Sequence, residues 1–272
     1  MSREGGNMAS INPAEPQPQS HNRWHVEILR AEALAQGRKW SQAITCLKRA
    51  IRAGADPYRY GLRIAEHYRA LERWKEALSF AEQAAALAPQ EMPAYEAIVA
   101  IALETGKFER AIEACTALIK LNPRHLPAYT ALGHAYMHLG VTDAAMRVTN
   151  ILIRLDPATP SHHFKKALLC QHHGEVGLAV YELKRTIELD PGGPHADAAQ
   201  DALQTLDAFQ LEQIVTLAQE DRVFRTKLER DPEDALNERG FALSDYGTQV
   251  LSEWVSHPFL AAQPHGRPMQ YN

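Results

Sequence analysis

The sequence predicts an all-α solenoid of about five antiparallel helix pairs, closed by a capping helix and followed by a small C-terminal helical unit. Three observations carry that expectation. Pro89, Pro123, Pro157 and Pro191 stand 34 residues apart (123 − 89, 157 − 123, 191 − 157), and a fixed period of this size marks a repeat architecture. With each proline counted as repeat position 32, position 20 reads Ala43, Ala77, Ala111, Ala145 and Ala179. Such an unbroken alanine column is expected where two helices approach closely. Position 15 is Gly106, Gly140 and Gly174 in the last three units, where a helix must end and glycine takes the left-handed conformation at little cost.

The other columns fit the same register. Position 8 reads Ala31, Ala65, Val99, Gly133 and Ala167, small except for the valine. Position 17 is Trp40, Trp74 and Phe108, then weakens to Thr142 and Val176; aromatics recurring in register read as packing residues rather than ligand contacts. Helix pairs are expected at 24–36 with 41–54, 57–70 with 74–87, 92–105 with 108–121, 126–139 with 142–155, and 160–173 with 176–189. The residue before each proline is pushed out of the helical region, so LAP, LNP, LDP and LDP mark helix ends. One pair cannot bury its apolar stripe alone, so stacking of neighbours supplies the stability.

These columns resemble the tetratricopeptide repeat, a pair of antiparallel helices with small residues at positions 8 and 20 and proline at 32. Leu132, Gly133, Tyr136, Ala145 and Pro157 carry the resemblance in the central unit, and it covers roughly residues 24–191. It implies a right-handed solenoid. The first unit departs with Ala55 where proline is expected and Pro57 two residues later, and the last has Lys166 at a usually apolar position. Edge repeats are commonly atypical.

Composition excludes several classes of function. The 272 residues are 45% hydrophobic and 23% charged, with net charge −4 and a pI near 6.4. A protein built to hold nucleic acid needs a clearly basic face, which this balance argues against. Residues 1–21 lack the apolar core of a signal peptide and read as a disordered leader. The longest apolar run, Ala94 to Leu103, is too short for a membrane span and carries Glu96. The cytoplasm is therefore the expected compartment. Cys46, Cys115 and Cys170 fall at packing positions of three different units and are expected to be buried, unpaired thiols.

The resemblance also implies a concave groove lined by the first helix of each pair. The residues it assigns there are Arg59, Leu62, Arg63, Glu66 and Arg69, then Glu96 and Leu103, then Thr130, His134, Met137 and His138, then Phe164, Lys165, Leu168 and His172. Leu62, Leu103, Met137 and Phe164 would be anchors. Arg59, Arg63 and Arg69 would form a basic patch for a carboxylate or an acidic peptide, unless they pair with Glu66 or with Glu96 of the next unit. The clamp by which some relatives hold chaperone tails is not expected, because its positions are Leu62, Glu66, Ala97, Pro127 and Ala131 here. His134 and His138 share a helix face, and His172 is the equivalent of His138 in the next unit, with His163 and His173 nearby. Three converging imidazoles could hold zinc, but no HExxH pattern is present, and a polar groove lining is the favoured meaning. No metal and no cofactor are expected.

After Pro191, Gly192, Gly193 and Pro194 break the chain. A cap helix with Ala198, Ala199, Ala202, Leu203 and Leu206 on its buried face is expected to close the array at 206. Residues 207–256 then form a small helical unit in which Asp231 is an N-cap, Pro232 the first helical residue, Gly240 a helix end and Ser244 a second cap, for a helix carrying Tyr246, Val250, Leu251 and Trp254. The string from Phe224 to Ser244 is similar to leader regions of certain ribosomally made, enzymatically modified peptides, and to the small helical subunit of protocatechuate-type ring-opening dioxygenases. Residues 257–272 read as a disordered tail. No glycine-rich phosphate loop, GxSxG elbow or paired Cys and His appears. The sequence thus points to a non-enzymatic scaffold or adaptor binding a protein or peptide, with no nucleic acid, membrane or small-molecule substrate. The alternative is that the C-terminal unit docks on a peptide-modifying or oxygenase enzyme.

Overall fold

The computed structural model describes residues 18–256, with side chains from residue 23 onward. Most of the expected leader and all of the expected tail lie outside the described residues. Among the described residues there are fourteen helices and no strand. They fall into two compact units, Met1–Pro123 and Arg124–Asn272, each taken here by itself.

The first unit holds α1 (Pro18–Gln36), α2 (Trp40–Arg52), α3 (Pro57–Ala70), α4 (Trp74–Leu87), α5 (Met92–Glu104) and α6 (Phe108–Leu121). Helix α1 starts inside the stretch expected to be a disordered leader. Ala43, Ala77 and Ala111 are fully buried, as expected for a close-approach column. The first unit's displaced proline has a local reason: Asp56 caps α3 by accepting from the Tyr58 backbone N–H at 2.9 Å, and Pro57 follows at the first helical position, where its missing N–H costs nothing. Trp40 packs on the buried His67 ring at 5.1 Å between centroids, which confirms a packing role for that aromatic. The turns inside the pairs need positive φ at position 15. Gly106 supplies it at 68°, but Arg38 and Glu72 adopt 54° and 57° without being glycine.

The second unit opens with α7 (Leu126–His138), α8 (Thr142–Leu155), α9 (Pro160–His173) and α10 (Val176–Leu189). Ala145 and Ala179 are again fully buried. Lys166, out of place in an apolar column, has a buried partner: its Nζ lies 2.8 Å from Glu182, and the other Glu182 oxygen lies 2.6 Å from His163 Nδ1. His163 Nε2 in turn faces the Pro157 carbonyl at 3.1 Å. The Glu182 carboxylate is 3% exposed, and such a buried charge is tolerable only when paired on all sides.

Beyond α10 the expected boundary at 206 is corrected. Helix α11 runs unbroken from Ala196 to Glu220, because LQTLDAFQLEQIV contains no glycine or proline to stop it. Its first half packs Ala199 and Leu203 against Ala167, Val180 and Leu183 of the last pair. Its second half packs Ile214 and Ala218 against Phe224, Leu228, Ala235, Leu236 and Leu251, which come from α12 (Arg222–Arg230), α13 (Pro232–Arg239) and α14 (Asp245–Ser256). One helix thus serves both cores. Ala198, expected on the buried face of this helix, is exposed.

The loop entering α14 is pinned to α11 by polar groups. The buried Asp207 carboxylate accepts from the Ser244 backbone N–H at 2.8 Å and from the Ser244 hydroxyl. Gln210 makes a two-point clamp on Ala242, accepting from its N–H at 2.8 Å and donating to its carbonyl at 2.7 Å. The expected caps form: Asp231 accepts from Asp234 N–H at 3.1 Å, Ser244 Oγ from Gly247 N–H at 3.2 Å, and Gly240 is left-handed at 75°.

Candidate partner-binding face

In the first unit the assigned groove residues lie on α3 and α5. Arg59, Glu66, Arg69 and Glu96 are exposed, whereas Leu62, Arg63 and Leu103 are half-buried. The arginines do not form an open basic patch. Arg63 donates to Glu32 of α1 at 2.8 Å, and Arg69 reaches Glu104 of α5 at 2.9 Å. Their partners are therefore acids of the flanking first helices rather than Glu66 or Glu96. The Arg59 guanidinium lies 5.9 Å from the ring centroid of its neighbour Tyr60. The two ion pairs tie the three first helices together, each contributing at most about 1 kcal/mol at such exposure. Arg63 also lowers the proton affinity of His67, after burial, which is the larger cause.

In the second unit the assigned residues lie on α7 and α9. Met137 and Leu168 are 38% and 37% exposed apolar side chains. Thr130, Phe164 and Lys165 are half-buried, and His134, His138 and His172 are exposed. Phe164 is partly engaged already, stacked on His195 at 5.4 Å and packed against the core of the last pair. His134 and His138 meet, with their Nε2 atoms 3.1 Å apart. His172 instead contacts His173, at 5.8 Å between ring centroids, and His163 is taken by Glu182. Among the described residues no group of three or more His, Cys, Asp or Glu is placed to hold a metal.

Two residues give this face an electrostatic character that the groove pattern did not single out. Lys165 has no ion pair or hydrogen bond among the described residues, and burial lowers its pKa. His162, one turn earlier, is 6% exposed and its Nδ1 has no partner among the described residues. Burial first, then the charge of Lys165, pushes its pKa down against an opposing pull from Asp156. His134 is lowered by burial, then His138, then Lys165, so the lysine of α9 acts on imidazoles of both helices. The sequence held a signal for this: PSHHFKKALLCQHH and LPAYTALGHAYMH contain six imidazoles and two lysines but no acid.

Models of the tetratricopeptide repeat match residues 28–91 and 102–169. No curated protein matches the chain. Among solved structures, the crystal structure of MamA protein is 19% identical, covering 63% of this chain and 93% of that one, with a TM-score of 0.57. MamA 41-end from Desulfovibrio magneticus RS-1 is 17% identical over 64% and 98%, with a TM-score of 0.55. YrrB, described as a TPR protein with an unusual peptide-binding site, is 16% identical over 64% and 90%, with a TM-score of 0.55. Identities this low show likeness of fold alone, and that fold is the all-α solenoid. These matches give no support to the leader-like or dioxygenase-like reading of the C-terminal string. With two matching repeat models, five alanines in register and helix pairs of the expected length, the array of this chain belongs to the tetratricopeptide-repeat family.

Proposed function

We propose that this protein is a non-enzymatic interaction scaffold whose first-helix faces receive an extended or helical segment of a partner protein. The observation that carries the reading is the set of apolar side chains left uncovered there. Met137 and Leu168 stand about two-fifths exposed on α7 and α9, and Leu62 and Leu103 are only half-buried on α3 and α5. Apolar anchors ringed by polar side chains are how a groove takes a segment of chain. The repeat family supports the same reading, and the YrrB structure is described as having a peptide-binding site. Among the described residues no helix is long and apolar enough to cross a membrane.

Truncation at 206 is a poor test, since it would sever α11 and strip Ile214 and Ala218 from their core. Point variants of the full chain are cleaner. Affinity capture from native lysate should recover one partner with the wild type and with Val223→Glu, a site 78% exposed on α12. Met137→Glu with Leu168→Glu should lose it. Recovery of the same partner by all three baits would discard the face assignment.

A further inference from the structure

We infer that the α7–α9 face is an anion-recognition subsite in which Lys165, with His134 and His162 near it, takes the side-chain carboxylate of a partner's Asp or Glu. This rests on the reading of the first-helix faces as a segment-binding surface, and it says which part of that surface reads charge.

The argument begins with which cations are already satisfied. Arg63 and Arg69, the obvious candidates, are paired to Glu32 and Glu104; an incoming carboxylate there would have to displace a carboxylate. Lys166, beside Lys165, is held by the buried Glu182. Lys165 has no such counter-charge among the described residues, and it is half-buried. Burying an ammonium costs free energy unless a charge partner repays it.

Its charge reaches two imidazoles. The charge of Lys165 bears on His134 of α7 and on His162 of its own helix. Neither α7 nor α9 contributes a carboxylate, and Asp156 is the acid that bears on His162. His162 adds a second independent observation, a ring 6% exposed whose Nδ1 finds no partner among the described residues. Each of these groups prefers its charged form when an anion is present. A carboxylate bound beside Lys165 would form a charge-assisted hydrogen bond and supply the counter-charge that its burial calls for. Met137 and Leu168, on the same two helices, would hold the apolar neighbours of that acidic residue.

The test uses the full chain. A phage-displayed library of random dodecapeptides is selected on the wild type, and the winners are made as acetylated, amidated peptides, so that side chains supply their only carboxylates. The expected result is an enriched Asp or Glu next to an apolar residue. Changing it to Asn or Gln should weaken binding about tenfold, the scale of one charge-assisted hydrogen bond. Lys165→Met, which keeps the stem, should cause a similar loss with no further loss when both changes are combined. Arg185→Met, a cation of α10 outside the first-helix faces, should change affinity less than twofold. If no peptide is selected by the wild type, this inference and the binding face both fall. If peptides bind without an acidic preference, or if Lys165→Met does not weaken them, the subsite is overturned and the binding face stands.

Discussion

Gly247→Ala should destabilise the second unit far more than a single methyl group normally does. A Cβ at position 247 would lie 2.5 Å from Asp207 Cγ, 2.6 Å from Oδ1 and 2.8 Å from Oδ2. Real contacts need about 3.4 Å, so the carboxylate must retreat by roughly 0.6–0.9 Å, and close packing leaves little slack for that. Its bond to the Ser244 N–H, 2.8 Å in the native arrangement, would then stretch to roughly 3.5 Å, beyond hydrogen-bond range. The Ser244 hydroxyl bond to the same carboxylate would be strained as well. Bonds to a charged acceptor contribute about 1.5–3 kcal/mol each, so losing one or both costs about 2–5 kcal/mol. Gly177 is the control. A Cβ there meets Ala242 Cβ at 3.6 Å, an ordinary contact, and Gly177→Ala should be neutral or slightly stabilising because alanine is the better helix former. Urea unfolding followed by circular dichroism measures both. Equal midpoints for the two variants would refute the idea that Asp207 pins the entry to α14.

Glu72→Gly and Arg38→Gly should each stabilise the first unit by about 0.5–1 kcal/mol, since left-handed backbone costs a non-glycine residue about 1–2 kcal/mol and glycine's extra unfolded freedom returns part of it; unchanged thermal midpoints would contradict this. His67 and His162 have pKa values lowered from 6.5, chiefly by burial, so the folded state binds fewer protons than the unfolded one below that pH. Stability should be full above about pH 6.5 and decline as pH falls, by at most about 1.4 kcal/mol per pH unit for each unmatched proton; a double His→Gln variant at 67 and 162 that keeps the same slope between pH 7 and 5 would refute the assignment. Burial pushes the Cys115 thiol up to about 12 and the Cys170 thiol to about 11, and Cys46 is raised too, by burial and then Glu27. Iodoacetamide at pH 7.5 should leave all three unmodified until urea is added, whereas rapid labelling of folded protein would show them accessible.

The helix pairs were legible because their signals are local. Pro57, Trp74, Met92, Phe108, Leu126, Thr142, Pro160 and Val176 start helices at the predicted residues, α2 starts one residue early, and the helix ends match or fall short by one or two, except that α1 begins at Pro18. The repeat columns encode what each position packs against. What the sequence hid depends on contacts distant in the chain. Lys166 looked like an irregularity until Glu182 appeared behind it, and Asp207 gave no sign of its partner 37 residues on. The break expected at 206 failed for a related reason: a change of composition marks a change of neighbours, not the end of a helix. At the candidate face, the groove pattern weighed charges by type. Arg63 and Arg69 drew attention as cations although Glu32 and Glu104 neutralise them, while Lys165 was grouped with the rest.

The most direct measurement is hydrogen–deuterium exchange on the full chain with and without its captured partner. Protection should appear in 126–138 and 160–173, the helices carrying Met137, Lys165 and Leu168. It should spare α8, α10 and α12. Protection confined to α11 through α14, with α7 and α9 unchanged, would contradict the claim that the first-helix faces are where this protein meets its partner.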